Sequence, residues 1–137
     1  MSQVNITVGG LRFTARFEEA AAPRTCAAFR TLLPFERQIV QARWSGEAAW
    51  VPLGDLRLDV PLENATSYPS RGDLLFYPGG ASETELLLAY GSARFAAKVG
   101  QLAGNHFLSI TTGLEALGEL GQLVLWKGSQ TILIELI

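Results

Sequence analysis

Only two stretches of this chain space their apolar residues as a helix does; the remainder breaks into short segments bounded by glycine, proline and polar turns. The first stretch opens at Pro23, where a first helical turn needs no N–H. It carries Cys26, Phe29 and Leu33 on one face, which predicts a helix over about Pro23 to Leu33. The second places Leu114, Leu117, Gly121 and Val124 on one face. Gly118 and Gly121 each cost about 1 kcal/mol relative to alanine there, a cost that close packing against a sheet is expected to explain at both positions. Two isolated helices without strand–helix alternation exclude a doubly wound sheet and leave an α+β fold or a barrel with flanking helices. At 137 residues, 48% of them hydrophobic, the chain supplies one core and is expected to form one domain over residues 1–137.

The segments between are strand-like. Val4 to Val8 and Leu11 to Phe17 alternate around Gly9-Gly10, a dipeptide suited to the positive φ angles of a tight hairpin. Phe35 to Arg43 leads through the Ser45-Gly46-Glu47 turn into Ala48 to Leu53. From Gly54 to Gly72 runs a long connection, with one short strand expected around Leu56 to Val60. Leu74 to Tyr77 and Glu85 to Tyr90 are apolar strands joined by a turn-rich bridge from Pro78 to Ser82. His106 to Thr111 is a further strand, and Ile132, Ile134 and Leu136 mark a last one.

Composition narrows the function classes. Eleven Lys plus Arg are balanced by thirteen Asp plus Glu without a basic cluster, so nucleic acid is not an expected partner. Cys26 stands alone, which rules out an intramolecular disulfide and a tetrathiolate zinc site; on its apolar helical stripe it reads as a buried, inert thiol. With a single histidine no His–His metal pair is available, and neither a metal nor a cofactor is expected. No apolar run approaches the length that spans a bilayer, and the opening residues lack the pattern of a signal peptide, so no membrane association and a cytoplasmic location are expected. Homo-oligomerisation is left open.

The segment Ala22-Pro23-Arg24-Thr25-Cys26-Ala27-Ala28-Phe29-Arg30 resembles the cyclophilin pattern Ala-Pro-Lys-Thr, three residues, Phe-Arg. Gly104-Asn105-His106-Phe107, followed by Gly113-Leu114, is similar to the cyclophilin Gly-Lys-His-Val segment that leads through a strand into the last helix. Arg43-Trp44-Ser45-Gly46-Glu47, the run Gly72 to Gly80, and Ser82-Glu83-Thr84-Glu85 resemble a bacterial cyclophilin-like family of unknown function over essentially the whole chain. The resemblance implies a mostly β fold, a closed cyclophilin-like barrel with two flanking helices. Isomerases of that fold carry Phe-His-Arg and a downstream Gln-Gly-Gly-Asp. Here Ala42-Arg43 keeps only the arginine, and Val51-Pro52 stands where the glutamine is expected.

The same resemblance makes Arg43 and His106 the candidate catalytic pair, lining one cleft at the mouth of the barrel, although a lone histidine reads equally as a satisfied structural residue. Arg43 can offer a bidentate fork to a carboxylate or amide oxygen, although a surface arginine shielding a sheet edge explains it equally. Glu83 and Glu85 are expected on one strand face as an acid/base or cation-binding pair, or else as a solvated strand start. If they face the cleft, one pairs with Arg43 and its neighbour titrates high. Tyr77, like Tyr90, can donate a hydrogen bond to a ligand from a strand end or simply pack, and Trp44 and Trp50 are expected to pack. The expected function is binding of a small carboxylate or amide ligand through Arg43, Tyr77, Glu83, Glu85 and His106, with or without turnover. The alternative is a peptidyl-prolyl isomerase or a proline-peptide binding module.

Overall fold

The computed structural model describes residues 2–137. In chain order its elements are β1 (Gln3–Val8), β2 (Leu11–Phe17), α1 (Pro23–Arg30), β3 (Phe35–Gln41), β4 (Gly46–Gly54), β5 (Ala65–Thr66), β6 (Asp73–Tyr77), β7 (Thr84–Ala93), β8 (Ala96–Ala97), β9 (Gly100–Gln101) and β10 (Gly104–Thr112). There follow a 3₁₀ turn (Leu114–Ala116), α2 (Leu117–Gln122), a π-helical turn (Leu123–Lys127) and β11 (Gln130–Leu136).

Gly9 and Gly10, at φ 53° and 88°, close the β1–β2 hairpin with Val8 opposite Leu11, which is the turn their sequence predicts. The strands pair in the order β2-β1-β11-β3-β4-β7-β6-β10, and β10 returns to β2, so eight antiparallel strands close a barrel. Closure removes both sheet edges. Alternation directs Val4, Ile6, Val8, Phe13, Ala15, Ile132 and Ile134 into the interior.

A helix sits at each end. α1 lies by Phe17 and Phe35, with Phe29 packed 5.2 Å from the Phe35 ring and 4.9 Å from Phe107. Regular helix ends at Arg30, and successive bonds back by three residues carry the turn to Leu33. Cys26 is buried, donates to the Phe107 carbonyl at 3.5 Å, and has its thiol pushed up to about 11 by burial and the negative charge of Glu19. At the other end the helical run Leu114–Lys127 inserts Leu117, Leu120 and Val124 into the core. Its two glycines differ. A Cβ at Gly121 would overlap the Tyr90 ring, so close approach to β7 accounts for that glycine, whereas Gly118 faces open space and packing does not explain it.

Leu56 to Val60 forms no strand. Leu56, Leu58 and Val60 rest against the core, but Asp59 adopts φ 54°, which breaks the extended run. The short strand of this connection is β5 instead, paired with Gly104 and Asn105 of β10.

β6 and β7 are buried on both faces, the physical reason their sequences are continuously apolar. Leu74, Phe76, Leu86 and Leu88 enter the barrel. Leu75, Tyr77 and Leu87 point outward into a second cluster with Ala42, Ala48, Phe95 and Leu102. Burying Phe95 there, worth about 2 kcal/mol, pins the β8–β9 hairpin against the outside of the barrel. Among the described residues no helix is long and apolar enough to cross a membrane.

Candidate functional site

The outward cluster is open at one side, where it becomes the floor of a cleft of about 280 Å³. Trp50 of β4 stands opposite Leu87 of β7, and Glu85 lies two residues before Leu87, so both project outward from adjacent strands. Gln41 to Trp44 form one wall, Ala96 to Lys98 of the hairpin the other, and Ser82 closes the end. The Ser45 turn is stitched to the hairpin: its Oγ donates to the Ala96 carbonyl and accepts from the Ala96 N–H, each at 3.1 Å. This contact holds Arg43 and Trp44 at the rim, with the Arg43 guanidinium 5.4 Å from the Trp44 ring centroid. A cation over an indole face is held in place yet keeps its N–H fork available.

Glu85 is the unusual group here. It is 4% exposed, and among the described residues nothing hydrogen-bonds its carboxyl. Every fully buried side-chain polar atom among the described residues has a partner, so the carboxyl's residual exposure is toward the cleft. Burial, and then the nearby negative charge of Glu83, pushes its pKa up to about 8. At neutral pH it is mostly a carboxylic acid, able both to donate and to accept.

Glu83 does not join it. Its carboxylate accepts the Gly54 N–H at 2.9 Å and lines a separate, polar cleft of about 430 Å³ with Asp55, Arg57 and Asp59; Ser82 borders both clefts. The expected ion pair with Arg43 does not form at either glutamate, while the expected upward shift falls on Glu85. Tyr77 is opposite Glu85 in register, but its hydroxyl accepts the N–H groups of Ala81 (3.0 Å) and Ser82 (3.3 Å) and its ring packs edge-on to Phe95. It braces the turn that carries Ser82.

His106 lies elsewhere. The register runs His106, Leu75, Leu87, Trp50 across four strands, which puts it roughly 14 Å from Trp50 at about 4.8 Å per strand. His106 is not among the residues that line the Arg43 cleft. The Nε2–H of His106 is shared between Ser109 Oγ (2.7 Å) and Asp73 Oδ1 (3.2 Å), and the Ser109 hydroxyl donates to Glu18 (2.6 Å). Burial lowers the imidazole pKa, but the hydrogen bond and charge of Asp73, with Glu18 behind, outweigh it and raise the net value. The Ser109 bond in turn holds the Glu18 carboxyl below its ordinary range.

Next to it, Asn105 is fully buried and anchors the long connection. Its amide donates to Thr25 Oγ1 (3.0 Å) and the Pro61 carbonyl (2.9 Å) and accepts the Glu63 N–H (3.0 Å). Glu63 accepts from both the N–H and the hydroxyl of Thr25. Nothing in the spacing of these residues points to their meeting. Lys98, at the hairpin, and Ser82 also join the Arg43 cleft without a sequence signal. Among the described residues no group of three or more metal-ligating side chains gathers.

A family model described as "Protein of unknown function (DUF3830)" matches residues 4–135. No curated protein matches. Among solved structures, McbB, described in complex with tryptophan, is similar at TM-score 0.74 and 19% identity. The match covers 96% of this chain but 44% of McbB, so the chain spans less than half of that protein's length. The hypothetical protein AF2241 from Archaeoglobus fulgidus is similar at TM-score 0.62 and 16% identity, over 98% of this chain and 93% of that one. At these identities the likeness is one of fold.

Proposed function

Since the chain belongs to the DUF3830 family, whose description carries no activity, we propose from the geometry that it binds a small carboxylate or amide ligand in the outer cleft. The observation that carries this reading is Glu85, a buried carboxyl with no partner among the described residues, at the floor of a cleft whose rim holds Arg43. A polar group is left unmet inside a fold only at a cost, and a ligand is the partner that removes it. Arg43 supplies the carboxylate- or amide-directed fork, and Trp44, Trp50 and the alanines of the hairpin supply apolar walls. The description of the McbB fold relative in complex with tryptophan is consistent with a small-molecule role here.

The resemblance to a bacterial cyclophilin-like family agrees with the retained arginine beside an outer cleft. The prolyl isomerase reading is weaker, because a buried carboxyl on the cleft floor opposes the seating of a proline ring. His106 takes no part in this site, and Tyr77 acts through the turn it braces.

The test is a binding screen of small carboxylates and primary amides by thermal shift, in parallel with a proline-peptide isomerisation assay. The expected result is stabilisation by ligand and no isomerisation. Arg43→Lys should weaken binding a few-fold although charge is retained, and Arg43→Ala about tenfold. Isomerase activity lost in Arg43→Ala, without small-ligand binding, would reverse the assignment.

A further inference from the structure

The polar groups of the Arg43 cleft are sorted by depth. Arg43 and Lys98 are both exposed and stand at the rim, while Glu85 lies at the floor. Among the described residues neither cation pairs with Glu85 or with any other carboxylate. One cavity thus offers a ligand two opposite complements: cations that suit an anion at the mouth and a carboxyl that suits a hydrogen-bond donor or cation at the base. Beside them Trp50, Trp44 (53% exposed), Ala42, Ala96 and Ala97 give the same cleft largely apolar walls.

Resting on the proposed binding role of this cleft, we infer that its ligand is a small amino carboxylate with a flat apolar group, carboxylate outward on Arg43 and Lys98, nitrogen inward on Glu85. A ligand with only a carboxylate would cover Glu85 without giving it a donor, and one with only an amine would leave the rim cations unused. A cavity of about 280 Å³ suits a molecule of amino-acid size, below the usual range for larger ligands. The indole faces favour a planar side chain.

This arrangement couples binding to a proton. The charged and titratable groups that flank Glu85 or share its cleft are Glu83 just before β7, Tyr77 across on β6, and Arg43 and Lys98 at the rim; β4 contributes Pro52 and Trp50, which do not titrate. An ammonium seated against the protonated Glu85 stabilises the carboxylate, so the carboxyl proton leaves to solvent while the ligand keeps its own.

The test uses isothermal calorimetry on the whole chain with three probes, L-phenylalanine, 3-phenylpropionate and 2-phenylethylamine, at pH 7 in two buffers of different ionisation enthalpy. L-Phenylalanine should bind about tenfold more tightly than either half-ligand and release close to one proton. Glu85→Gln, shown folded by its melting transition, should abolish proton release and remove the advantage of L-phenylalanine over 3-phenylpropionate. Equal binding of L-phenylalanine and 3-phenylpropionate, unchanged in Glu85→Gln, overturns the inference while leaving carboxylate binding intact. No binding of any of the three probes also overturns it. The broader reading falls with it only if the carboxylate and amide screen is empty as well.

Discussion

Glu85 and His106 both sit on strands of the β4-β7-β6-β10 wall, and both have raised pKa values, but for opposite reasons. Around His106 every polar group has an answer: Asp73 and Ser109 accept its N–H, Glu18 accepts the Ser109 hydroxyl, and Asn105 beside it ties β10 to α1 and the long connection. There the neighbours favour the charged imidazole. At Glu85 burial disfavours the charged carboxylate and nothing among the described residues compensates. A satisfied polar cluster holds a fold together, and an unsatisfied one marks where something outside the protein is expected.

The largest effect that can break this contrast is the pH dependence of stability at Glu85. Its folded pKa of about 8 lies above the ordinary 4.5, so the stability it contributes is full below pH 4.5 and is lost as pH rises through 8. The loss between pH 4 and pH 9 should be on the order of 4 kcal/mol. Urea unfolding across that range should show the decline in the wild type and not in Glu85→Gln; equal slopes would mean that the carboxyl is already compensated. Next comes Asn105→Ala, which strips three hydrogen bonds from a buried junction. It should cost about 2 to 3 kcal/mol and expose residues 55–72 to proteolysis before the barrel unfolds.

The smallest effect belongs to His106. Its raised value means that its stabilising contribution is present below pH 6.5 and fades as pH rises through the folded value. Because the pair is partly solvated, that contribution should be about 1 kcal/mol or less. An NMR titration of the imidazole should find it above 6.5, and Asp73→Asn should bring it down. An imidazole titrating below 6.5 would show burial winning over the carboxylates, and the two regions would then be alike.

Much of the fold is legible in the sequence because it rests on local signals. Gly9-Gly10, Pro23, the period-two strands and the helical stripe at Leu114 each encode their element directly, and the structure keeps all of them. The misreadings have local causes as well: Leu56 to Val60 alternates like a strand but lacks a pairing partner, and Gly118 looks like its neighbour Gly121 until Tyr90 is found over one and not the other.

The candidate site was legible only in part. Arg43 and Glu85 stand out as charged residues beside apolar strands, and both line the cleft. The two glutamates, by contrast, part company, because the backbone of Gly54 captures one of them. His106 is one residue type in one copy, and sequence alone supplies no measure of the strands between it and Arg43.

What the sequence by itself determined is the eight long strands, the two helical stretches and the burial of Cys26, since these follow from periodicity and turn chemistry within a few residues. Only the tertiary structure decided which polar groups meet. Asn105 finds Thr25 and Glu63, Ser45 finds Ala96, and Glu85 is left without a partner among the described residues. Those outcomes depend on barrel closure and strand register, which bring together residues tens of positions apart, and no local pattern encodes a distance across four strands.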